Sequence, residues 1–203
     1  MKQYLTSLSY ALHIGMQQLL SWVSTFCMQW RLFRWGAEGG HRARFFGLTS
    51  VLRHPDATLI LGPDTVFRSH PSSSRIGLQQ RCMLSVFRGA RLEIGSQCGF
   101  SGTVISCHQH ISLGDRVLCG ANVTITDADQ HSLDPRRRAA GEAGEAAPVS
   151  IGNDVWLGMN TLILKGAKIG DNVVIAANSV VTGDIPANTI AAGVPARPLK
   201  KGS

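Results

Sequence analysis

A few side chains in this sequence can do chemistry. His131 stands in "HSLDPRRR". An imidazole titrates near neutral pH, so it can take a proton and return it. A histidine in an exposed loop is more often inert than catalytic, so its setting has to decide. His108 and His110 form a His-x-His pair. On a strand such a pair points both rings to one side, which suits two zinc ligands or two rings lining an acceptor cleft. Cys107, beside His108, is the one nucleophile candidate, and it would need a thiolate in an electropositive, partly exposed place. Asp127 and Asp129 can orient an imidazole or sit solvated in a loop. Arg136, Arg137 and Arg138 form a cationic run that is either a solvated flank or a contact for an anion.

The elements that position these groups show in a period of six. Ile151, Leu157, Ile163, Ile169, Ile175 and Val181 are all aliphatic. Four residues after each stand Val155, Thr161, Ala167, Val173, Ser179 and Ile185, mostly small or β-branched. Directly after each come Gly152, Gly158, Leu164, Gly170, Ala176 and Thr182, where glycine suits a tight turn. Leu113, Cys119 and Ile125 keep the period upstream, as do Ile76, Cys82, Ile94 and Phe100, with Arg88 as the imperfect member. Six is neither 2 nor 3.6. It predicts a short strand, a turn, and a new strand on the next face of a prism, three hexads to a coil. The period fails between Ile125 and Ile151, so that stretch must loop out, and long loops in a compact repeat usually carry function.

Composition narrows the classes. Hydrophobic residues make up 44% and charged residues 16% of 203, a globular balance. The formal charge of +7 suits nucleic acid, an anionic membrane face or a phosphate-rich ligand. No aromatic stacking platform or known motif supports nucleic acid. Five cysteines without CxxC or zinc spacing read as reduced thiols of a cytoplasmic protein. Cys82, Cys107 and Cys119 fill aliphatic slots and Cys98 a small slot, so all four read as core. Polar residues interrupt the N-terminal apolar stretch, against a secretory signal.

The stretch from Ile151 to Lys201, "IGNDVWLGMNTLILKGAKIGDNVVIAANSVVTGDIPANTIAAGVPARPLKK", resembles the hexapeptide-repeat acyltransferase family, and within it the galactoside, maltose and nodulation-factor O-acetyltransferases. The resemblance implies an all-β fold, a left-handed parallel β-helix with a protruding loop, assembled as a homotrimer. It implies acetyl-CoA as co-substrate, no metal, and a sugar or glycan acceptor. His131 becomes the general base for direct attack of a hydroxyl on the thioester. Trp156 lines the cleft, Gly158 and Met159 lie beside the thioester, and a backbone N–H there can hold the oxyanion. Ala176, Ala177 and Thr182 match pantetheine contacts, and Arg197 and Lys200 match cations for the nucleotide phosphates. Asp129, His108 and His110 are acceptor-side candidates. Met159 stands where galactoside acetyltransferases have a small polar residue, and the sugar-binding Asn of some relatives is missing near Phe100. The β-helical carbonic anhydrases, with three zinc-bound histidines, fit less well, since they lack the long His loop and the "GVPAR" tail. A streptogramin-type antibiotic acetyltransferase and a non-catalytic scaffold are the alternatives.

The N-terminal third is different. Leu5, Leu8, Leu12, Met16, Leu19, Val23, Phe26 and Trp30 step by three or four along one helical face. Gln17, Gln18, Ser21, Ser24 and Gln29 lie largely off that stripe. The stripe is expected to pack on the β-helix or across a trimer, or to lie on the membrane surface. The expected divisions are a helical segment 1–36, a joint and first irregular coil 37–75, the repeat 76–190 with its loop 126–150, and a tail 191–203. The expected location is cytoplasmic, with peripheral contact at the inner face of the membrane.

Overall fold

The structure is a computed structural model that describes residues 2–199. It is mostly β. Among the described residues, three sheets of six, eight and six strands form the faces of a prism, and consecutive strands visit the sheets in turn. The first sheet includes His110–Leu113, Val149–Ile151 and Lys168–Ile169. The second includes Gly99–Ser101, Leu118–Ala121, Trp156–Leu157 and Val174–Ile175. The third includes Val104–Cys107, Thr124–Thr126, Leu162–Ile163 and Val180–Val181. Ile151 pairs with Ile169, Leu157 with Ile175 and Ile163 with Val181, so three hexads make one turn. Among the described strands the ladders are parallel except the last, where Ile190–Gly193 meets Ala196–Pro198 antiparallel across a cis Val194–Pro195 peptide.

Every member of both periodic sets between Ile151 and Ile185 is buried. Phe45, Phe67 and Phe100 stack in one column with centroids 4.9 Å apart, and Cys119, Leu157 and Ile175 continue it. Upstream the period slips. Ile94 pairs with Leu113 and Ile105 with Ile125, turns slightly longer than three hexads. Ile76 is exposed and outside any strand, and Arg88 sits exposed at a corner.

The corner chemistry differs from the expectation. The left-handed residue of successive corners is Asp154, Asn160, Gly166, Asn172 and Asn178, with φ between 54° and 78°. Asn and Asp tolerate that region better than other side chains. Gly152 and Gly158 do not adopt it; they are needed because the next coil lies against them. A Cβ on Gly158 would come within 2.5 Å of the Ala177 backbone nitrogen, and one on Gly152 would strike the Asp171 carboxylate.

Helix α1, Lys2–Arg34, closes the open end of the stack. Its polar face turns inward. Thr25 Oγ1 accepts from the Phe45 N–H at 2.9 Å and Ser24 Oγ from the Gly47 N–H at 3.0 Å. Gln29 Nε2 donates to the Gly40 carbonyl and Gln17 Nε2 to the Ser72 carbonyl. Phe45, Gly47 and Gly40 belong to the first coil, which has no earlier coil to pair with, and a buried unpaired backbone group is costly; Ser72 lies in the excursion that follows Arg68. Met28 and Leu32 add the only fully buried apolar contacts from described side chains of α1. The apolar stripe therefore does not pack on the β-helix. Leu5, Leu8, Leu12, Met16, Leu19, Val23, Phe26 and Trp30 are all exposed.

Candidate active site

The prism has three kinds of corner, and the expected site residues divide between two of them. The segment carrying His131 leaves the third sheet after Thr126 and returns to the first at Val149. Its neck is closed by the Ala147 N–H to the Asp127 carbonyl, by the Asp129 N–H to the Glu145 carbonyl, and by a bridge between Ala128 and Ala146. A short helix α2, Pro135–Ala139, follows His131, capped by Asp134, whose carboxylate accepts from the Arg136 and Arg137 N–H groups. His131 is exposed. Arg136, Arg137 and Arg138 are exposed as well; Arg137 pairs with Glu142 at 2.7 Å, and Arg138 donates to the Ser132 carbonyl at 2.8 Å. The cationic run thus shapes its own loop.

Neither acidic neighbour of His131 is a freely solvated carboxylate. Asp127 is fully buried, and its two oxygens accept from the backbone N–H groups of His108, Gln109 and His110 at 2.7 to 2.8 Å. Asp129 accepts from Lys165 Nζ at 2.7 Å, a lysine that also reaches Glu145. The Asp129 hydrogen bond, then the nearby charges, push the Lys165 ammonium above its usual range. The pair ties the root of the His131 segment to the following coil. Lys165 is a site residue that the sequence motifs do not single out.

His108 and His110 do not share a face. Asp127 holds residues 108 to 110 in a bend at this corner, so the strand alternation assumed for the pair does not apply. The His108 ring stacks on Phe87 at 4.0 Å, while His110 Nε2 meets Glu93 at 3.0 Å on the first sheet. Arg91 and then His110 hold the Glu93 carboxyl below its ordinary range. Among the described residues, no three His, Cys, Asp or Glu side chains are grouped to hold a metal. Cys107 is buried, and burial together with the Asp127 charge pushes its thiol up to about 12, so it is no nucleophile.

The second group lies around the second sheet and the corner after it. Trp156 projects outward, 54% exposed, over a groove of about 310 Å³ that Arg68, Gly99, Leu118 and Gly120 also line. Gly158 and Met159 begin the next corner, and Ala176 and Ala177 begin the same corner one turn on. Asn122, Asn160 and Asn178 stack there through side-chain hydrogen bonds of 3.4 and 3.1 Å. Thr182 is exposed, but on the corner of the His131 segment. Arg197 is exposed in the closing strand, and Lys200 lies outside the described residues. One copy therefore sets His131 beyond the corner between the third and first sheets and Trp156 on the second sheet.

Residues 148–183 match the family described as bacterial transferase hexapeptide (six repeats). In sequence and in fold the chain resembles the hexapeptide-repeat acetyltransferases. It is 39% identical over 115 residues to a galactoside O-acetyltransferase of Escherichia coli strain K12, an alignment covering 56% of this chain and 55% of that one. Over 104 residues it is 39% identical to a candidate lipopolysaccharide biosynthesis O-acetyl transferase of the same organism, covering 48% and 53%. A hexapeptide-repeat-containing acetyltransferase of Vibrio cholerae O1 biovar eltor, solved in complex with acetyl coenzyme A, superposes with a TM-score of 0.56 at 27% identity, covering 98% of this chain and 87% of that one. The chain spans about half the length of the curated relatives it matches.

Proposed function

We propose that this chain is an acetyl-CoA-dependent O-acetyltransferase acting on a hydroxyl of a sugar or polysaccharide precursor, built on a left-handed β-helix. The observation that carries the reading is an exposed His131 on the longest excursion from the coils among the described residues. In the reaction, the acceptor oxygen attacks the thioester carbon while His131 takes the hydroxyl proton. The tetrahedral oxyanion is held by a backbone N–H near Gly158 and Met159. The carbon–sulfur bond then breaks, and the proton passes from the imidazole to the departing thiolate. Trp156, Ala176, Ala177 and Thr182 line the donor arm, and Arg197 with Lys200 meets its phosphates. Asp129, His108 and His110 flank the acceptor side, with Asp129 acting through Lys165.

The separation of His131 from Trp156 supports a homotrimer in which the His131 segment protrudes over a neighbouring copy. The outward columns support it too. The first sheet shows Arg91, Glu93, His110 and Lys168, whereas the second, past Arg44 and Arg68 in its first two strands, shows Leu118, Trp156 and Val174. The relatives' names favour a glycan acceptor, and α1 favours one handled at the cytoplasmic membrane face. The test is release of free CoA thiol from acetyl-CoA against small sugars, lipid-linked glycans and streptogramins. Turnover with a saccharide supports the reading; turnover with a streptogramin alone, or binding of no acetyl-CoA at all, sinks it.

A further inference from the structure

Helix α1 is built inside out. Between Gln17 and Gln29 the side chains that face the β-helix are mostly polar, Gln17, Ser21, Ser24, Thr25 and Gln29, joined by Met28 and Leu32, while most of its large apolar side chains are exposed. Trp22, Phe26 and Phe33 are each 80% exposed. In a helix that ends its packing at its own β-helix, that arrangement leaves a long apolar face in water, which is unfavourable in proportion to its area.

We propose that the outward face of α1, from Leu5 to Phe33, is a docking surface for the headgroup layer of an anionic phospholipid bilayer, with the helix lying in the plane of the membrane. Charge favours this occupant. No Asp or Glu occurs before Glu38, while Arg31 and Arg34 stand in the last turn, the Arg34 guanidinium 4.8 Å from the Trp30 ring centroid. Such a face complements anionic headgroups. The ring types favour it as well, since Trp and Tyr settle at a membrane interface, where the ring is half in hydrocarbon and the polar edge in water. Next to the helix, a cleft of about 740 Å³ is lined by the apolar Phe26, Met28, Trp35 and Leu48 together with the cationic Arg31 and Arg34. That combination matches a lipid's acyl end and phosphate. Among the described residues no helix is long and apolar enough to cross a membrane, so α1 lies on the surface. Its position at the end of the coil stack leaves His131 and Trp156 uncovered. The inference rests on the packing of α1 and is independent of the transfer reading.

The test is co-sedimentation of the full chain with phosphatidylcholine vesicles, with and without phosphatidylglycerol, without any acetyl donor or acceptor. The chain is expected to bind the anionic vesicles, and high salt is expected to weaken that binding. A variant carrying Trp22→Ser, Phe26→Ser and Trp30→Ser is expected to lose more than about ten-fold in partitioning. Arg31→Gln is expected to cost about five-fold on anionic vesicles, Arg34→Gln a similar factor, and neither much on neutral ones. Circular dichroism and the unfolding midpoint should hold in all three variants, because Trp22, Phe26, Trp30 and Arg34 point outward and Arg31 is only half-buried. No binding by the unaltered chain to anionic vesicles overturns the proposal. So does a lipid-free oligomer that the triple variant disperses while vesicle binding stays unchanged, which would assign the face to a second copy.

Discussion

Two apolar stripes run along this chain, and they face opposite ways. From Ile151 to Val181 the aliphatic residues turn into the prism, where three hexads close a coil and the neighbouring coils cover the rest. Along α1 the stripe from Leu5 to Trp30 is exposed, and from Gln17 to Gln29 it is mainly Ser, Thr and Gln side chains that meet the protein. Both stripes are periodic, and only the first is covered within the chain. The hexad block supplies its own cover from the next coil. The helix does not, because its inner face closes the end of a parallel stack whose first coil would otherwise leave backbone groups bare. Only hydrogen-bonding side chains such as Ser24 and Thr25 can do that. A residue's polarity thus reports the kind of neighbour it meets, and that neighbour need not be water.

The contrast can be broken by mutation. Leu157→Ala removes a side chain from the centre of the stack and is expected to cost about 3 kcal/mol in urea unfolding. Phe26→Ala removes a larger one from the outer face of α1 and is expected to stay within about 0.5 kcal/mol in the absence of lipid. Equal losses at the two sites would mean that α1 is buried in the protein's own assembly. Next in size is the polar face. Ser24→Ala leaves the Gly47 N–H without its acceptor in a buried place and is expected to cost about 1–3 kcal/mol. No loss would show that the coil end is closed in some other way.

Thiol reactivity gives a smaller contrast. Cys27, on α1, is exposed, and the other four cysteines are buried. In the native chain one thiol is expected to react with an alkylating agent, and five after unfolding. Burial pushes Cys98 up to about 11 and Cys107 up to about 12, above their unfolded values. Groups so raised stabilise the fold while they stay neutral. That contribution is whole below their unfolded value near 9 and is lost as pH rises through about 11 to 12. An alkaline unfolding midpoint that moves upward in Cys107→Val supports this, and more than one reactive native thiol would contradict the burial.

The hexad block was legible because each of its corners has the same length, so one period runs unbroken from Ile151 to Ile185. Upstream, turns of slightly different length, together with the excursion at residues 70–81, hid the coils that hold Phe45 and Phe67. The corner glycines were legible as positions but not in their reason, since the close approach of Ala177 to Gly158 is a contact between turns. At the site, His131 stood out because the period fails around it. The Asp127 cradle and the Lys165–Asp129 tie did not stand out, because each joins residues from different coils whose partners no local pattern names. The stripe on α1 was visible, but its direction was not, because periodicity gives a face and leaves its cover unspecified.

The most direct test compares the intact chain with His131→Ala at saturating acetyl-CoA and the best saccharide acceptor, following thiol release alongside calorimetric binding of acetyl-CoA. The account predicts that turnover falls by about 10²–10⁴-fold while acetyl-CoA binding is unchanged. Turnover that survives the substitution would contradict the role given to His131 and place the base elsewhere on the corner.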